Sequence, residues 1–228
     1  MKIGGFQKMT MLDFPGKVAC TLFTYGCNLR CPFCHNASLV TTEAELLDVE
    51  DIISYLNKRK GILDGICITG GEPLLQKDII ELLTRIRETG LLIKLDTNGA
   101  YPDKLQQIIN LGLVDYIAMD IKNSKEKYAL TTGIAGIDIT PFERSVEIIK
   151  SSGVDYEFRT TVVRELHDKN DLESIALWIK VAKRYFLQGF VDSGELIGEG
   201  FSAYDKTTLE AFSQAVSAHI PNVEIRGV

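Results

Sequence analysis

The sequence lacks any apolar run long enough to cross a bilayer, and it has no block of basic residues. A membrane-spanning helix needs about 20 consecutive apolar residues, so we expect no membrane partner. Acidic residues number 31 against 25 basic ones, a formal net charge of −6, which makes nucleic acid a poor candidate as a partner. The first residues are polar where a secretory leader would have an apolar segment. We therefore expect the protein to be cytoplasmic, where thiols stay reduced.

Cysteine is scarce and odd in number, with five residues in a chain of 228. An odd count argues against a closed disulfide framework. Stretches rich in proline, glycine or serine, which would mark a linker, are also absent. Hydrophobic residues make up 45% of the chain, which is enough for one full core. We therefore predict a single domain over residues 1–228.

Short apolar runs alternate with amphipathic segments along the chain. The apolar runs predict strands at 18–24, 65–69, 91–95, 115–121, 155–163, 185–191 and 223–225. The amphipathic segments predict helices from 48 or 50 to 59 and at 78–88, 104–111, 142–151, 172–184 and 205–218. This alternation is typical of a parallel sheet covered by helices. Because crossovers are right-handed, we predict an α/β fold, an incomplete parallel (β/α) barrel of about six β/α units.

Three of the cysteines lie close together in the sequence. Cys27, Cys31 and Cys34 have the spacing C-x3-C-x2-C and directly follow the first predicted strand. A [4Fe–4S] cluster is normally held by four thiolates. Three thiolates would leave one iron without a protein ligand, and that iron could bind and activate a small molecule. The motif therefore predicts an iron–sulfur cluster with an open coordination site.

Two other cofactors fit parts of the same motif. Structural zinc takes four ligands, but Cys20 and Cys67 lie in apolar strands and are interpreted as core residues. His35 directly follows Cys34, which is a poor position for completing a tetrahedron with it. Residues 31–35 match C-x-x-C-H, the haem attachment pattern, but haem would not explain the first cysteine of the motif. The iron–sulfur cluster is therefore preferred, with zinc and haem as the alternatives.

A second motif, Gly-Gly-Glu-Pro at residues 70–73, follows the second predicted strand. The glycines Gly70 and Gly71 would let a ligand approach the backbone, and Glu72 offers a carboxylate to an ammonium group. The alternative is a tight strand-to-helix turn with Pro73 near the helix start. Ligands in parallel α/β folds bind at the carboxyl ends of strands. The position of this motif, one strand after the cysteines, therefore favours a binding role.

Charged residues end later strands of the predicted sheet. Asp96 and Asp120 end neighbouring strands, and Lys122 follows the second. Lone strand-end carboxylates commonly cap the next helix, whereas this group could bind hydroxyls, a cation or a charged cofactor. Arg159 lies in an apolar strand, where an unpaired guanidinium is costly. We expect it to meet an anion, which is either a protein carboxylate or a ligand carboxylate.

Two further residues have a structural and a functional interpretation. Phe33 lies between two of the cysteines and is either a core aromatic or a flat surface against a purine ring. His167 is flanked by charged residues. We interpret His167 as a surface loop residue and not as a ligand.

The two motifs resemble the signatures of the radical S-adenosylmethionine (SAM) superfamily. That family has C-x3-C-x-aromatic-C after the first strand and G-G-E-P after the second. Further segments are similar to its glycyl-radical-enzyme activase branch, and they lie at 13–16, 26–27, 34–36, 96–99 and 119–122. Within this branch, two segments are more similar to activators of anaerobic ribonucleoside-triphosphate reductase than to activators of pyruvate formate-lyase. They lie at 5–16 and 185–190. The resemblance covers nearly the whole chain.

The resemblance implies a role for each motif. The three motif cysteines would hold a [4Fe–4S] cluster, whose open iron would bind the amino and carboxylate groups of SAM. The other implied contacts to SAM are Gly70, Gly71 and Glu72 at its amino group, Phe33 at its adenine, and Asp96, Lys122 and Arg159 at its polar groups. Asp96, Thr97 and Asp120 match a monovalent-cation site of the pyruvate formate-lyase branch. Ala118 replaces a methionine there, and its backbone oxygen could still serve as the ligand. A late strand histidine of the branch is replaced near Gln188.

The implied activity is the installation of a glycyl radical on a partner enzyme. SAM would be cleaved reductively to a 5′-deoxyadenosyl radical, with a flavodoxin- or ferredoxin-like protein as electron donor. The expected partner is anaerobic ribonucleoside-triphosphate reductase, and pyruvate formate-lyase or another glycyl radical enzyme is the alternative. Another alternative is a radical SAM enzyme that acts on a small molecule. An alternative from another functional class is a metal-binding protein that docks to a partner without catalysis.

Overall fold

One eight-stranded sheet organises the computed structural model, which describes residues 1–41 and 45–227. Its strands are β1 (Ile3–Thr10), β2 (Ala19–Thr24), β3 (Gly65–Gly70), β4 (Leu92–Thr97), β5 (Tyr116–Asp120), β6 (Asp155–Val162), β7 (Tyr185–Gly189) and β8 (Val223–Arg226). The strands lie side by side in chain order. Each neighbouring pair from β2 to β8 is parallel, so each connection must cross back over the sheet.

Helices make these crossovers. The described residues contain α1 (Ser38–Thr41), α2 (Val49–Lys58), α3 (Ile79–Arg87), α4 (Pro102–Asn110), α5 (Tyr128–Thr132), α6 (Thr140–Ser151), α7 (Lys169–Trp178) and α8 (Lys206–Val216). The longer helices are amphipathic: α3 buries Ile79, Leu82, Leu83 and Ile86, which share one face of the helix. Asp48 caps α2 by accepting a hydrogen bond from the backbone N–H of Glu50.

The sheet curls but does not close. Strands β1 and β8 are its two edges, and within the described residues they do not pair with each other. In the same part of the chain, β2 to β7 are each followed by a helix, which gives six β/α units before β8. The predicted incomplete parallel barrel is therefore confirmed. None of the helices in the described ranges combines the length and apolar character that crossing a membrane requires.

The N-terminal strand β1 is absent from the sequence prediction. It runs antiparallel to β2, with Gly5 opposite Phe23 and Thr10 opposite Ala19. Only the two end residues of β1 are buried. An edge strand has one neighbour and needs no continuous apolar run, so the apolar pattern that reveals the inner strands does not occur here.

The helix predicted at 172–184 is too long. Helix α7 ends at Trp178, and Val181 has φ +60°. A β-branched residue in the left-handed region cannot continue a right-handed helix. The apolar residues after Trp178, such as Ile179 and Ala182, are buried in a turn that leads into β7, and their spacing imitates a helix.

Candidate active site

A cavity of about 470 Å³ lies at the carboxyl ends of the parallel strands. Every residue predicted to bind a cofactor or an ion lines it: Cys27, Cys31, Phe33, Cys34, Gly70, Gly71, Glu72, Asp96, Thr97, Asp120, Lys122 and Arg159. These residues come from β3 to β6 and from the loops after β2, β3 and β5. Parallel strands end at one edge, so distant segments of the sequence meet there. The structure thus brings the set together, and the individual roles stay predictions.

The cysteine loop is held in place by backbone contacts to the short helix α5. The N–H of Arg30 donates to the carbonyl of Thr132 at 2.9 Å. A Cβ atom on Gly133, which has φ +69°, would lie only 2.2 Å from the carbonyl oxygen of Arg30. The sequence predicts no helix at α5, yet this element supports the loop that carries the thiols.

Hydrogen bonds orient the thiol of Cys27. The N–H of Leu29 donates to its sulfur at 3.4 Å. The side-chain amide of Asn98 lies 3.8 Å from the same sulfur and donates to Oδ1 of Asn28 at 2.9 Å. Amide donors of this kind stabilise negative charge on sulfur. Asn98 lies in the segment 96–99 that resembles the activase branch, but the sequence gives no sign of its contact with Cys27. The fold brings the two residues together.

The thiols of Cys27 and Cys31 are in a setting that favours the neutral form until a metal binds. Burial raises the pKa of Cys27, and it raises the pKa of Cys31 to about 12. Iron would supply the positive charge that holds such thiols as thiolates. Three thiols of one loop lining one cavity form a donor set that fits an iron–sulfur cluster.

Single-ion coordination requires a tighter arrangement of ligands than a cluster. Among residues 1–41 and 45–227, no group of three His, Cys, Asp or Glu side chains is placed to hold one metal ion. A cluster does not need such convergence, because each thiolate binds a different iron.

The glycine pair allows the cysteine loop to pack against the end of β3. A Cβ on Gly70, which has φ +116°, would lie 2.3 Å from the backbone nitrogen of Thr24. A Cβ on Gly71 would lie 2.1 Å from the carbonyl oxygen of Gly26, which accepts from the N–H of Glu72 at 2.9 Å. The sequence suggests that these glycines admit a ligand. In the structure, the groups that approach these glycines closely are the backbone atoms of Thr24 and Gly26.

Glu72 is fully buried and already engaged by donors of the protein. Its carboxylate accepts from the N–H of Leu74 at 3.0 Å, the hydroxyl of Thr97 at 2.9 Å and the N–H of Asn98 at 2.7 Å. Burial outweighs these bonds and raises the pKa of Glu72 to about 7. The residue therefore ties the end of β3 to the end of β4, and its predicted contact with an ammonium group stays a prediction.

Five side chains of alternating charge form a charge ladder along β4, β5 and β6. Its members in order are Lys94, Asp96, Arg159, Asp120 and Lys122. Lys94 contacts Asp96, which also binds Nη1 of Arg159 at 3.1 Å. Nε of Arg159 lies 2.9 Å from Asp120, and Nζ of Lys122 lies 3.0 Å from the other oxygen of Asp120. The anion that Arg159 was expected to meet is thus a pair of protein carboxylates.

The pairing keeps the charge ladder ionised despite its burial. Burial alone would raise the pKa values of Asp96 and Asp120, but Arg159 and the lysines hold both below their usual range. Burial would likewise lower the pKa values of Lys94 and Lys122, and the adjacent carboxylates raise both instead. The sequence assigns no role to Lys94, and its only signal is a charged residue within the otherwise apolar run 91–95.

His167 is buried, so its interpretation as a surface loop residue is wrong. Its side chain is enclosed at 1% exposure. The N–H of Val163 donates to Nδ1 at 3.1 Å, which leaves Nε2–H to donate to the carbonyl of Lys122 at 2.8 Å. Burial lowers the pKa of His167. The imidazole holds the backbone of Lys122 at the end of the charge ladder.

Comparison with known proteins agrees with the site geometry. Residues 21–179 match the model of the Radical SAM superfamily, which is well over half of the chain. The chain belongs to the radical SAM superfamily. The cavity lies at the strand ends, where parallel β/α barrels carry their active sites.

Two relatives of this radical SAM protein extend over nearly its whole length. One, from Methanocaldococcus jannaschii, is named provisionally as a glycyl-radical enzyme activating enzyme and is 31% identical over 99% of this chain and 96% of its own. The other is the pyruvate formate-lyase-activating enzyme of Clostridium pasteurianum. It is 28% identical over 92% of this chain and 87% of its own.

Solved structures share the radical SAM fold at low sequence identity. Streptococcus suis SuiB bound to S-adenosylmethionine superimposes with a TM-score of 0.70 at 16% identity, covering 89% of this chain and 48% of SuiB. A domain of pyruvate-formate lyase-activating enzyme from Bacteroides vulgatus gives a TM-score of 0.56 at 16% identity, covering 72% of this chain and 99% of that domain. This chain spans about half the length of SuiB, and at such identities the likeness concerns the fold.

Proposed function

We propose that this radical SAM protein is a glycyl-radical-enzyme activase. Cys27, Cys31 and Cys34 hold a [4Fe–4S] cluster, and SAM binds at its open iron. The observation that supports this is one cavity lined by the three thiols and by Asp96, Asp120, Lys122 and Arg159 of the charge ladder. The relatives of nearly equal length named as activating enzymes support the same reaction.

The cofactors supply the difficult chemistry, and the residues of the chain position them. When bound, the cluster would supply one electron to the sulfonium of SAM, breaking the S–C5′ bond to give methionine and a 5′-deoxyadenosyl radical. The hydrogen atom of a partner glycine would then move to that radical, leaving 5′-deoxyadenosine and a glycyl radical. Phe33 is buried beside the thiols and offers a flat face to adenine. Enclosure of the site would exclude water and oxygen.

The charge ladder gives the site its electrostatic character. It combines three cationic and two anionic side chains. Lys122, at its end, lowers the pKa values of Cys27 and Cys31 against the effect of burial, so its ammonium stabilises negative charge on the thiols. We propose that the same ammonium meets the carboxylate of SAM.

The partner is proposed to be anaerobic ribonucleoside-triphosphate reductase, on the resemblance of segments 5–16 and 185–190. Pyruvate formate-lyase is the second candidate, because the Clostridium pasteurianum relative is named for it. The open side of the sheet between β1 and β8 would admit a glycine-bearing loop of either partner. A flavodoxin- or ferredoxin-like protein is the proposed electron donor, and residues 1–228 are proposed to act as one domain.

The central test is reductive cleavage of SAM by the anaerobically reconstituted protein. With dithionite, we expect 5′-deoxyadenosine from the wild type and none from Cys31→Ala. Incubation with each candidate partner should yield the EPR doublet of a glycyl radical on one of them. A fully loaded protein that produces no 5′-deoxyadenosine would overturn the proposal.

Two rival functions give different results in the same experiments. A radical SAM enzyme for a small molecule would form 5′-deoxyadenosine but no glycyl radical on any candidate enzyme. A docking protein without catalysis would contain about one zinc per chain and no acid-labile sulfide. Metal and sulfide analysis of the purified protein therefore precedes the activity measurements.

A further inference from the structure

The monovalent cation that the family resemblance implies does not fit the residues present. Asp96 would be one of its ligands, but its two carboxylate oxygens are taken by Lys94 and by Arg159, the latter at 3.1 Å. Asp120 would be another, and its oxygens bind Arg159 at 2.9 Å and Lys122 at 3.0 Å. Each oxygen of both carboxylates therefore already faces a cationic side chain.

The third implied ligand, Thr97, is also engaged on both sides of its hydroxyl. It donates to Glu72 at 2.9 Å and accepts from the N–H of Gly99 at 3.1 Å. A metal ion would have to use the remaining lone pair of a hydroxyl that already makes these two bonds. All three implied side chains thus already have partners within the protein.

The net charge of the charge ladder also argues against a bound metal ion. The charge ladder has three cations and two carboxylates, which leaves one net positive charge. Two acidic neighbours of the ladder already have partners: Glu72 accepts three hydrogen bonds, and Glu157 accepts from Tyr116 and pairs with Arg226. Adding Na⁺ or K⁺ would place another positive charge in a poorly solvated region, where like charges repel strongly.

Lys94 supplies the positive charge that faces the first oxygen of Asp96. It lies two positions before Asp96 on β4, so the two side chains share one face of the strand. Its side chain is 2% exposed, and Nζ lies 3.7 Å from the sulfur of Cys67 as well as against Asp96. A lysine buried to this extent needs an anionic partner, and Asp96 is that partner.

We propose that the ammonium of Lys94 takes the place of a monovalent cation in this chain, so that the site forms and binds SAM without added Na⁺ or K⁺. The part about SAM rests on the proposed function. The part about the ion does not, because it concerns only how the carboxylates are neutralised.

The test compares reconstituted protein in NaCl, KCl and tetramethylammonium chloride at equal ionic strength, which removes general screening as a variable. For the wild type, we expect the Kd for SAM to agree within about twofold in the three salts. An affinity about tenfold higher in Na⁺ or K⁺ than in tetramethylammonium would overturn the proposal.

Two variants of Lys94 form a matched pair. Lys94→Ala removes the charge and leaves room for an ion, whereas Lys94→Met removes the charge and fills most of the space. We expect Lys94→Ala to bind SAM about tenfold more weakly in tetramethylammonium chloride and to regain affinity in KCl or NaCl. Lys94→Met should be weak in every salt, and equal rescue of both variants would contradict the proposal.

A second readout omits SAM altogether. The thermal midpoint of the reconstituted wild type should agree within about 2 °C in the three salts, because binding of an ion to the folded state alone would raise it. A rise of several degrees in Na⁺ or K⁺ overturns the inference about Lys94 even if SAM is never cleaved. Absence of SAM cleavage with salt-independent midpoints overturns the proposed function and leaves this inference standing.

Discussion

At the residue scale, the buried imidazole of His167 links protonation to stability. Its folded-state pKa is depressed by burial, whereas the unfolded value is about 6.5. Above that pH both states are neutral, and below it the unfolded chain binds the extra proton. The contribution of His167 to stability should therefore fall as the pH drops below about 6.5, with a slope of at most about 1.4 kcal/mol per pH unit, whereas Glu72, with its pKa raised to about 7, contributes with the opposite sign.

Urea unfolding between neutral and mildly acidic pH measures this effect. His167→Gln keeps a donor for the carbonyl of Lys122 and removes the titration, so the stability of the wild type relative to this variant should fall as the pH drops below about 6.5. His219→Gln, at a half-buried site, serves as the control. Equal pH profiles for the wild type and His167→Gln would contradict the assignment.

Asn98 is the second residue for which contact geometry predicts a measurable effect. Its amide lies 3.8 Å from the sulfur of Cys27. Asn98→Asp replaces a donor with a negative charge, so the reduced cluster should be harder to form and its midpoint potential more negative. Redox-poised EPR measures the potential, with the exposed substitution Asn57→Asp as control. An unchanged potential would mean that Asn98 acts only on the loop.

At the scale of elements, Gly71 controls how closely the cysteine loop approaches β3. The Cβ of Gly71→Ala would lie 2.1 Å from the carbonyl oxygen of Gly26, so the loop must shift. We expect lower iron and sulfide content after reconstitution and a loss of about 2 kcal/mol or more in unfolding free energy. Gly5→Ala is the matched control, because its Cβ would meet Phe23 at an ordinary 3.5 Å. Full cluster loading of Gly71→Ala would show that the loop tolerates displacement.

The charge ladder joins three strands through Arg159. Arg159→Met would leave Asp96 and Asp120 without their shared partner, and breaking a buried pair in this way typically costs about 3–5 kcal/mol. Arg144→Met removes an exposed pair with Asp103 and should cost about 1 kcal/mol or less. Chemical denaturation of both variants makes the comparison. Similar losses for the two would refute the idea that the ladder is a buried structural unit.

At the scale of the whole molecule, most of the core lies away from the cysteine loop, although Cys31 and Phe33 of that loop belong to it. Buried side chains such as Leu22, Ile68, Leu95 and Phe158 pack within the sheet and its helices, while the thiols lie on a loop at the strand ends. We expect cluster removal with a chelator and an oxidant to leave the far-UV circular dichroism spectrum unchanged and to lower the thermal midpoint by only a few degrees, about 2–4 °C per kcal/mol lost. Cys31→Ala should behave in the same way. Loss of secondary structure on cluster removal would show that the cluster is part of the folding core.

The inner strands and the cysteine loop were predictable because their signals are local. A run such as 66–68 is apolar at every position, as expected for a strand covered on both faces. The thiol spacing 27–34 reports cluster chemistry directly, since a short loop can present three sulfurs to one cofactor. The edge strand β1 and the short helix α5 carry no such pattern, because β1 buries only its two end residues and α5 has five residues, too few to show a helical period.

The sequence by itself therefore determined the order of elements, the open barrel and the set of residues at its strand ends. Only the tertiary structure decided what those residues do for one another. It showed that Glu72 and Arg159 are satisfied by protein groups. It also placed the ammonium of Lys94 against Asp96. The physical reason is the sequence separation of the interacting residues. Periodicity and motif spacing are visible within about ten residues, whereas the pairing of buried charges depends on strands that are distant in sequence and adjacent in the sheet.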